Sequence, residues 1–293
     1  MEFPIVEVIT SDNYTLHGLL SESVERSKTI IIHLHGSAGN FYQSSFYPYL
    51  FKMSDKMNIS FLSTNSRGTG VYDIEEGTKP RGAAIEIFEE CLLDIDAWIE
   101  YVLNLGYKNI ILEGHSFGTN KIQYYFLNGK YKSKVIALIL LGFTDSYGGQ
   151  LEYLKTKNLK NENILEEAKK LVSQNKPMQL LSHPLINWGE LPQSAQSYLN
   201  FMSPDSSLSK ILPLPIRGNL DNFKKIQVPI LGVVGDHDEC TVIPPKEAVD
   251  MLNKQNKNAN CYMIKDSNHS YKGKEDKLVK IIINFLTGLG YKV

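Results

Sequence analysis

Asn109-Ile110-Ile111-Leu112-Glu113-Gly114-His115-Ser116-Phe117-Gly118 decides how the rest of the chain is read. Its first five residues form a short β-branched and apolar run, as a buried strand requires. A helical pattern begins at Phe117. Between them, Gly114-His115-Ser116-Phe117-Gly118 fits G-x-S-x-G. A pentapeptide of this kind also arises by accident, so its setting carries the reading. Strand, sharp turn and helix in that order hold a serine on a strained turn at the carboxyl edge of a sheet. The glycines have a steric reason, because side chains there would collide with the neighbouring strand and helix.

Working outward, short β-branched runs alternate with longer helical patterns, the mark of an α/β sheet. Residues 4–9 and 14–20 flank Ser11-Asp12-Asn13 and predict an opening hairpin. Residues 29–34 are nearly all apolar, as in a central strand covered on both faces. A helical stretch is expected over 41–57, a strand over 59–63 and a helix over 86–103. That helix places Phe88, Cys91, Leu92, Ile95, Trp98, Ile99 and Val102 on one face, and Gly106 ends it. Further strands are expected at 109–113, 135–141, 228–234 and 260–264. Helices are expected at 117–127, after Pro244-Pro245, and at 274–286.

The alternation stops over 144–225, which is richer in Lys, Asn, Ser and Pro. One amphipathic helix remains there, with Ile164, Leu165, Ala168, Leu171 and Val172 on one side, together with Trp188, Tyr198 and Phe201. A structureless loop of that length does not suit a compact domain. The expected organisation is therefore a core of 1–143 and 226–293 with a helical cap inserted at 144–225. The core is then a normal single-domain size.

With 293 residues and 42% hydrophobic content, the chain can bury a large core. Lys+Arg is 31 against Asp+Glu 32, so no basic surplus exists to neutralise a nucleic-acid backbone. Met1-Glu2-Phe3-Pro4 lacks a basic n-region followed by an apolar h-region, so no signal peptide is expected. The longest apolar run, 135–143, is about half of the ~20 residues a membrane span needs, so none is expected. Cys91, Cys240 and Cys261 are few and scattered, which predicts reduced thiols and a cytoplasmic location. Nothing in the pattern fixes an oligomeric state.

Four further features join the elbow. His35-Gly36 follows the third strand and Asn65-Ser66-Arg67-Gly68 the fourth. Gly235-Asp236-His237-Asp238 ends the strand after the insertion, and Asp266-Ser267-Asn268-His269 follows the last strand. With these the chain resembles the α/β-hydrolase superfamily over essentially its whole length. The resemblance implies a mostly parallel eight-stranded sheet flanked by helices, and a catalytic order of Ser, acid, His. It implies no cofactor and no metal. Residues 86–96 and Gly118-Thr119-Asn120-Lys121 are similar to a narrower subgroup that includes fungal siderophore esterases.

Ser116 is the expected nucleophile. A serine hydroxyl is too weakly acidic to attack unaided, so it needs a base. Of His17, His33, His35, His115, His183, His237 and His269, only His269 falls in a polar loop after the final strand. For the acid, Asp238, Asp236 and Glu239 crowd one loop, and Asp145 follows the sixth strand. The resemblance favours Asp238 and leaves Asp236 to brace the loop. The oxyanion hole is expected from the backbone N–H groups of Ser37 and Phe117, with Gly36 and Gly39 permitting close approach. Arg67 is read as a loop brace, Lys121 as helix surface, and Cys240 as a small packed side chain without a base.

A metallohydrolase reading would use His33 and His35 on one strand face with Asp236-His237-Asp238. Gly36-Ser37-Ala38 stands where a binuclear zinc site would need a downstream Asp-His pair. Neither G-x-x-x-x-G-K-[ST] nor G-x-G-x-x-G occurs. Epoxide hydrolase and dehalogenase chemistry need a carboxylate at the elbow, where Ser116 stands. The expected activity is hydrolysis of a small-molecule acyl ester or thioester. An acyltransferase, a cofactor-independent lyase and a non-catalytic binding module stay open, because several chemistries share the fold and the acyl-enzyme.

Overall fold

The computed structural model describes residues 4–23, 27–74, 79–186, 188–215 and 220–292. Strands β1 (Ile5–Ile9), β2 (Thr15–Ser21), β3 (Thr29–Leu34), β4 (Ser60–Thr64), β5 (Asn109–His115), β6 (Val135–Leu141), β7 (Ile230–Gly235) and β8 (Ala259–Ile264) form one sheet. Their order is β1-β2-β4-β3-β5-β6-β7-β8. Only β2 runs antiparallel to its neighbours β1 and β4, and every other pairing is parallel. This is the mostly parallel eight-stranded sheet that the family resemblance implies.

Side-chain alternation divides the core into two layers. Ile30, Ile32, Ile110, Leu112, Leu138 and Leu140 face one way. They pack with α2 (Cys91–Asn104), α3 (Phe117–Asn128) and α8 (Pro245–Gln255). Ile31, Ile111, Ile139, Leu231 and Val233 face the other way, against α1 (Tyr47–Lys56) and α9 (Glu275–Gly288). Each such side chain contributes roughly 1.5–3 kcal/mol on burial. Between β6 and β7 come α4 (Ser146–Thr156), α5 (Asn161–Ser173), α6 (Ala195–Met202) and α7 (Asp221–Lys224). Their apolar residues Leu154, Ile164, Ala168, Tyr198 and Phe201 belong to the same core layer as α2 and α3.

Two helix boundaries differ from the periodicity. The helix expected from residue 41 starts at Tyr47, with a proline in its first turn. Before it, Asn40 Oδ1 accepts the N–H groups of Tyr42 and Gln43 at 3.1 and 2.9 Å, and this local turn displaces the helix. The helix expected from residue 86 instead opens with a tight turn, Phe88–Glu90, and becomes α-helical at Cys91. There Phe88 N–H donates to Asn200 Oδ1 at 2.8 Å, a partner far away in sequence.

Topology positions the site. From β3 the chain moves to β4 on one side, then crosses back to β5 on the other. The carboxyl ends of β3 and β5 are therefore where successive connections diverge, which opens a crevice at the sheet edge.

Below that crevice lies a buried acid–base pair. His33 on β3 is the cross-strand neighbour of Glu113 on β5, with Nδ1 2.7 Å from Oε1 and both side chains fully buried. Burial lowers the His33 pKa to about 3 and raises that of Glu113 to about 8. A single proton then bridges Glu113 Oε1 and His33 Nδ1, both groups being neutral. The sign of the pH effect follows from linkage. Glu113, raised when folded, contributes stability that is full below its unfolded pKa and is lost as pH rises through about 8. His33, depressed when folded, contributes stability that is lost as pH falls from about 6.5 toward 3. The two slopes oppose each other in mildly acidic solution, and above pH ~6.5 Glu113 acts alone, at up to about 1.4 kcal/mol per pH unit. Glu113→Gln is expected to remove that component. Unfolding curves should show the variant gaining on the natural chain between pH 6.5 and 8, and parallel curves would refute this.

Candidate active site

Ser116 joins β5 to α3 with φ 54° and ψ −127°, a strained conformation for a residue with a side chain. Neighbouring backbone holds it there: Ser116 N–H donates to Leu141 O at 2.9 Å, at the end of β6. A Cβ on Gly114 would lie 2.5 Å from the Gly118 carbonyl, and one on Gly118 would lie 2.5 Å from Leu34 O. Only glycine lets the turn pack this closely.

His269 sits in the loop after β8, its ring against the end of β6. A Cβ on Gly142 would come within 3.0 Å of the imidazole. Ser116 and His269 therefore both rest on the carboxyl end of β6, and both line one cleft of about 840 Å³. His269 Nδ1 lies 2.8 Å from Asp238 Oδ2, and the Asp238 side chain is fully buried. Asp238 Oδ1 accepts the Cys240 N–H at 2.9 Å, so each carboxylate oxygen has a partner. Burial disfavours the His269 imidazolium, but the hydrogen bond and charge of Asp238, reinforced by Cys240, outweigh it and hold the pKa above the ordinary imidazole value.

The other acids go elsewhere. Asp236 Oδ1 accepts Ser267 N–H at 3.0 Å, tying the loop after β7 to the loop after β8. Hydrogen bonding from the Ser267 backbone keeps its pKa low. Asp145 caps α4, accepting Gly148 N–H at 2.7 Å and Leu214 N–H at 3.0 Å. Burial raises its pKa to about 6. The side chain of Glu239 lies outside the described residues.

Phe117 N–H is the first of α3, one of the donors a helix leaves without an intrahelical partner. Ser37 follows Gly36 in the loop after β3, which lies directly against the elbow: a Cβ on Gly36 would be 2.8 Å from Ser116 Cβ. His35 anchors this loop. Its Nδ1–H donates to Gly36 O at 2.6 Å, and Nε2 accepts from the Thr69 hydroxyl at 2.8 Å and Ser66 N–H at 3.1 Å. Burial and the nearby Lys121 charge push its pKa down to about 3, so it stays neutral.

Three sequence readings need correction. Lys121 is not helix surface: it is buried, with Nζ 2.5 Å from Glu86 Oε1 and 3.2 Å from Ser66 Oγ. The first half of α3 is buried on every side, so that helix offers no outward face there. Cys240 is not merely packed filler: its thiol lies beside His269 and Asp238, with one donor atom from each of the three within 4.8 Å of one another. His33 and His35 do not share a face. β3 ends at Leu34, so strand alternation has stopped by His35, which turns to Thr69 while His33 turns to Glu113. Arg67 braces as read, through Asp94 at 2.9 Å, Glu90 at 2.7 Å and Asp12 at 3.0 Å.

His115 and Tyr271 carry no role in the sequence reading. His115 Nε2 donates to His269 O at 2.9 Å, and the two rings are 4.8 Å apart. Tyr271 Oη donates to Val233 O at 2.7 Å and accepts Gly142 N–H at 2.5 Å. Together they fix the loop that presents His269. Glycine at 142 and the aromatic ring two residues after His269 were the only local signals.

Residues 89–287 match a family described as "Protein of unknown function (DUF1749)", a span of more than half the chain. The chain belongs to this family. No curated protein matches the DUF1749 chain. Among solved structures, Est1E from Butyrivibrio proteoclasticus with bound ferulic acid is 18% identical with a TM-score of 0.65, over 97% of this chain and 98% of that one. The α/β hydrolase GrgF from a Penicillium species is 16% identical with a TM-score of 0.66, over 96% of each chain. A monoacylglycerol lipase from Paleococcus ferrophilus is 17% identical with a TM-score of 0.61, over 92% of this chain and 99% of that one. These likenesses establish that the DUF1749 chain has the α/β-hydrolase fold. Among the described residues, no helix is long and apolar enough to cross a membrane.

Proposed function

We propose that the chain is a serine hydrolase that cleaves a carboxylic ester or thioester through an acyl-enzyme. The observation that carries this is Ser116 on a strained elbow between β5 and α3, held against the end of β6 and sharing one cleft with a His269 imidazole bound to a buried carboxylate. Ser116 Oγ attacks the substrate carbonyl as His269 takes its proton. Asp238 holds the tautomer and stabilises the imidazolium. The N–H groups of Phe117 and Ser37 bind the oxyanion, and His269 returns the proton to the leaving group. Water then attacks the acyl-enzyme by the same route. Residues 144–225 act as a cap over the cleft and set substrate choice.

The cleft lining supports an apolar or aromatic acyl group. Phe117, Leu185, Ile186, Trp188, Phe201 and Leu208 supply its apolar wall, all but Phe117 from the cap segment. The ferulic acid bound by Est1E is an aromatic acid in the corresponding fold. Asn268, Ser270 and Lys272 of the His269 loop supply a polar part of the lining, which suits a polar leaving group. Three thiols without disulfides suit a reducing, cytoplasmic compartment.

The test is a panel of chromogenic esters from acetyl to long-chain and aromatic acyl groups, run beside the matching thioesters, with fluorophosphonate labelling of Ser116. Turnover with aromatic or medium-chain esters and labelling at Ser116 are expected. A chain that neither labels nor turns over any member of the panel is not a serine hydrolase.

The pH profile is a separate expected outcome. His269 acts as a base only when neutral, and its pKa is raised. kcat/KM should therefore climb with pH, reaching half its maximum above the ordinary imidazole pKa of about 6.5. A midpoint below that value would contradict the Asp238–His269 coupling.

A further inference from the structure

We propose that Asp238, Cys240 and His269 form a zinc site whose occupation switches off the hydrolase. One carboxylate oxygen, one thiol sulfur and one imidazole nitrogen lie within 4.8 Å of one another here. Zinc bonds of roughly 2.0–2.3 Å separate tetrahedral ligands by roughly 3.3–3.8 Å. The Asp238–His269 pair, 2.8 Å apart, must open by at least about half an ångström, and the Cys240 sulfur, within 4.8 Å of both, has at most roughly an ångström to close. The donor set is selective. A thiolate and an imidazole suit zinc, whereas magnesium and calcium favour oxygen ligands alone.

The loop builds this arrangement. Cys240 N–H donates to Asp238 Oδ1, a short turn that keeps the thiol within 4.8 Å of both the carboxylate and the imidazole. Cys240 and His269 both line the cleft, so an ion reaches them from solvent, and a water or substrate oxygen completes the fourth position from the cleft side. Cys91 and Cys261 are buried, which leaves Cys240 as the thiol that the cleft exposes. A second group, Asp236, His237 and Asp266, also gathers three donors, but it has no sulfur.

The exchange balances in charge and protons. Zinc takes the His269 Nδ1 lone pair that opens when the shared Nδ1 proton leaves Asp238 Oδ2. That proton moves to Nε2, so the imidazole stays neutral, and the Cys240 thiol proton goes to solvent. With Nε2 protonated and Nδ1 on the metal, His269 has no lone pair to accept the Ser116 proton, and turnover stops.

The inhibition rests on the hydrolase reading above; the metal binding does not. Two measurements on the metal-free full chain separate them. Titration with Co²⁺ should give a near-ultraviolet thiolate-to-cobalt absorption that saturates at one equivalent, disappears in Cys240→Ser and persists in His237→Ala. Zn²⁺ should inhibit ester turnover. Its half-inhibitory concentration should rise at least about 100-fold in Cys240→Ser, each protein scaled to its own metal-free rate, because a direct ligand is lost. His237→Ala should leave that concentration unchanged. The proposal is overturned if no thiolate–cobalt band forms, if the band survives Cys240→Ser, or if Cys240→Ser is as zinc-sensitive as the natural chain. A Cys240-dependent cobalt band in a chain with no ester turnover supports the site and defeats the hydrolase reading instead.

Discussion

Ser116→Ala should abolish turnover, by about 10⁶ in kcat, and leave the protein folded. The loss is large because the variant removes the atom that forms the acyl-enzyme, and an alanine methyl cannot replace it. The stability effect is small because the elbow is held by its backbone. Ser116 N–H donates to Leu141 O, and Ser116 O accepts from Thr119 N–H at 2.8 Å and the Thr119 hydroxyl at 2.6 Å. Alanine keeps the Cβ that already tolerates φ 54°, so the strain is unchanged. A melting temperature within the range of less than about 1 kcal/mol of stability is expected. Steady-state kinetics on the best ester of the panel, with calorimetry on the same samples, make the comparison. Activity within tenfold of the natural chain would falsify the assignment of Ser116 as nucleophile.

The sequence makes some of this architecture readable and hides the rest, and the division follows the range of the interactions. β3, β5 and β6 are short β-branched runs whose character is local, and β3 and β6 occupy the residues expected of them. The elbow is likewise local: two glycines around a serine between a strand and a helix. What the sequence could not place are contacts across the chain. Lys121 meets Glu86 across a separation of 35 residues, and no helical periodicity in 117–127 records that partner. Cys240 meets His269 only because the loops after β7 and β8 end on the same edge of adjacent parallel strands. α1 starts later than its sequence pattern predicts for a different reason. Asn40 offers its own side chain to the backbone, and that competes with a helix pattern that is otherwise adequate. The choice among acids was open in sequence because four carboxylates lay at suitable positions. Geometry separates three of them by where their oxygens are engaged, with Asp238 alone of the three bonded to the imidazole.

That geometry makes Asp238→Asn the informative substitution for the acid. The amide has the carboxylate's shape and can still accept the Cys240 N–H through Oδ1, so the loop should hold. It lacks the charge that stabilises protonated His269, and its NH₂ group can face Nδ1 only as a donor, which selects the wrong tautomer. In serine proteases the equivalent change lowers kcat by about 10⁴, and a loss of at least hundreds-fold is expected here. The residual activity should carry a second signature. With the carboxylate gone, the His269 pKa falls, and the rising limb of the pH profile should move to lower pH. Asp236→Asn is the control from the same loop. Its carboxylate accepts Ser267 N–H and makes no bond to the imidazole, so kcat should stay within about tenfold while the melting temperature drops slightly. Measuring kcat, its pH profile and the melting temperature for both variants side by side decides between them. An inactive Asp236→Asn beside an active Asp238→Asn reverses the assignment. If both stay active, the acid lies elsewhere, and Asp145, whose oxygens now cap α4 and bind Leu214 N–H, becomes the residue to replace next.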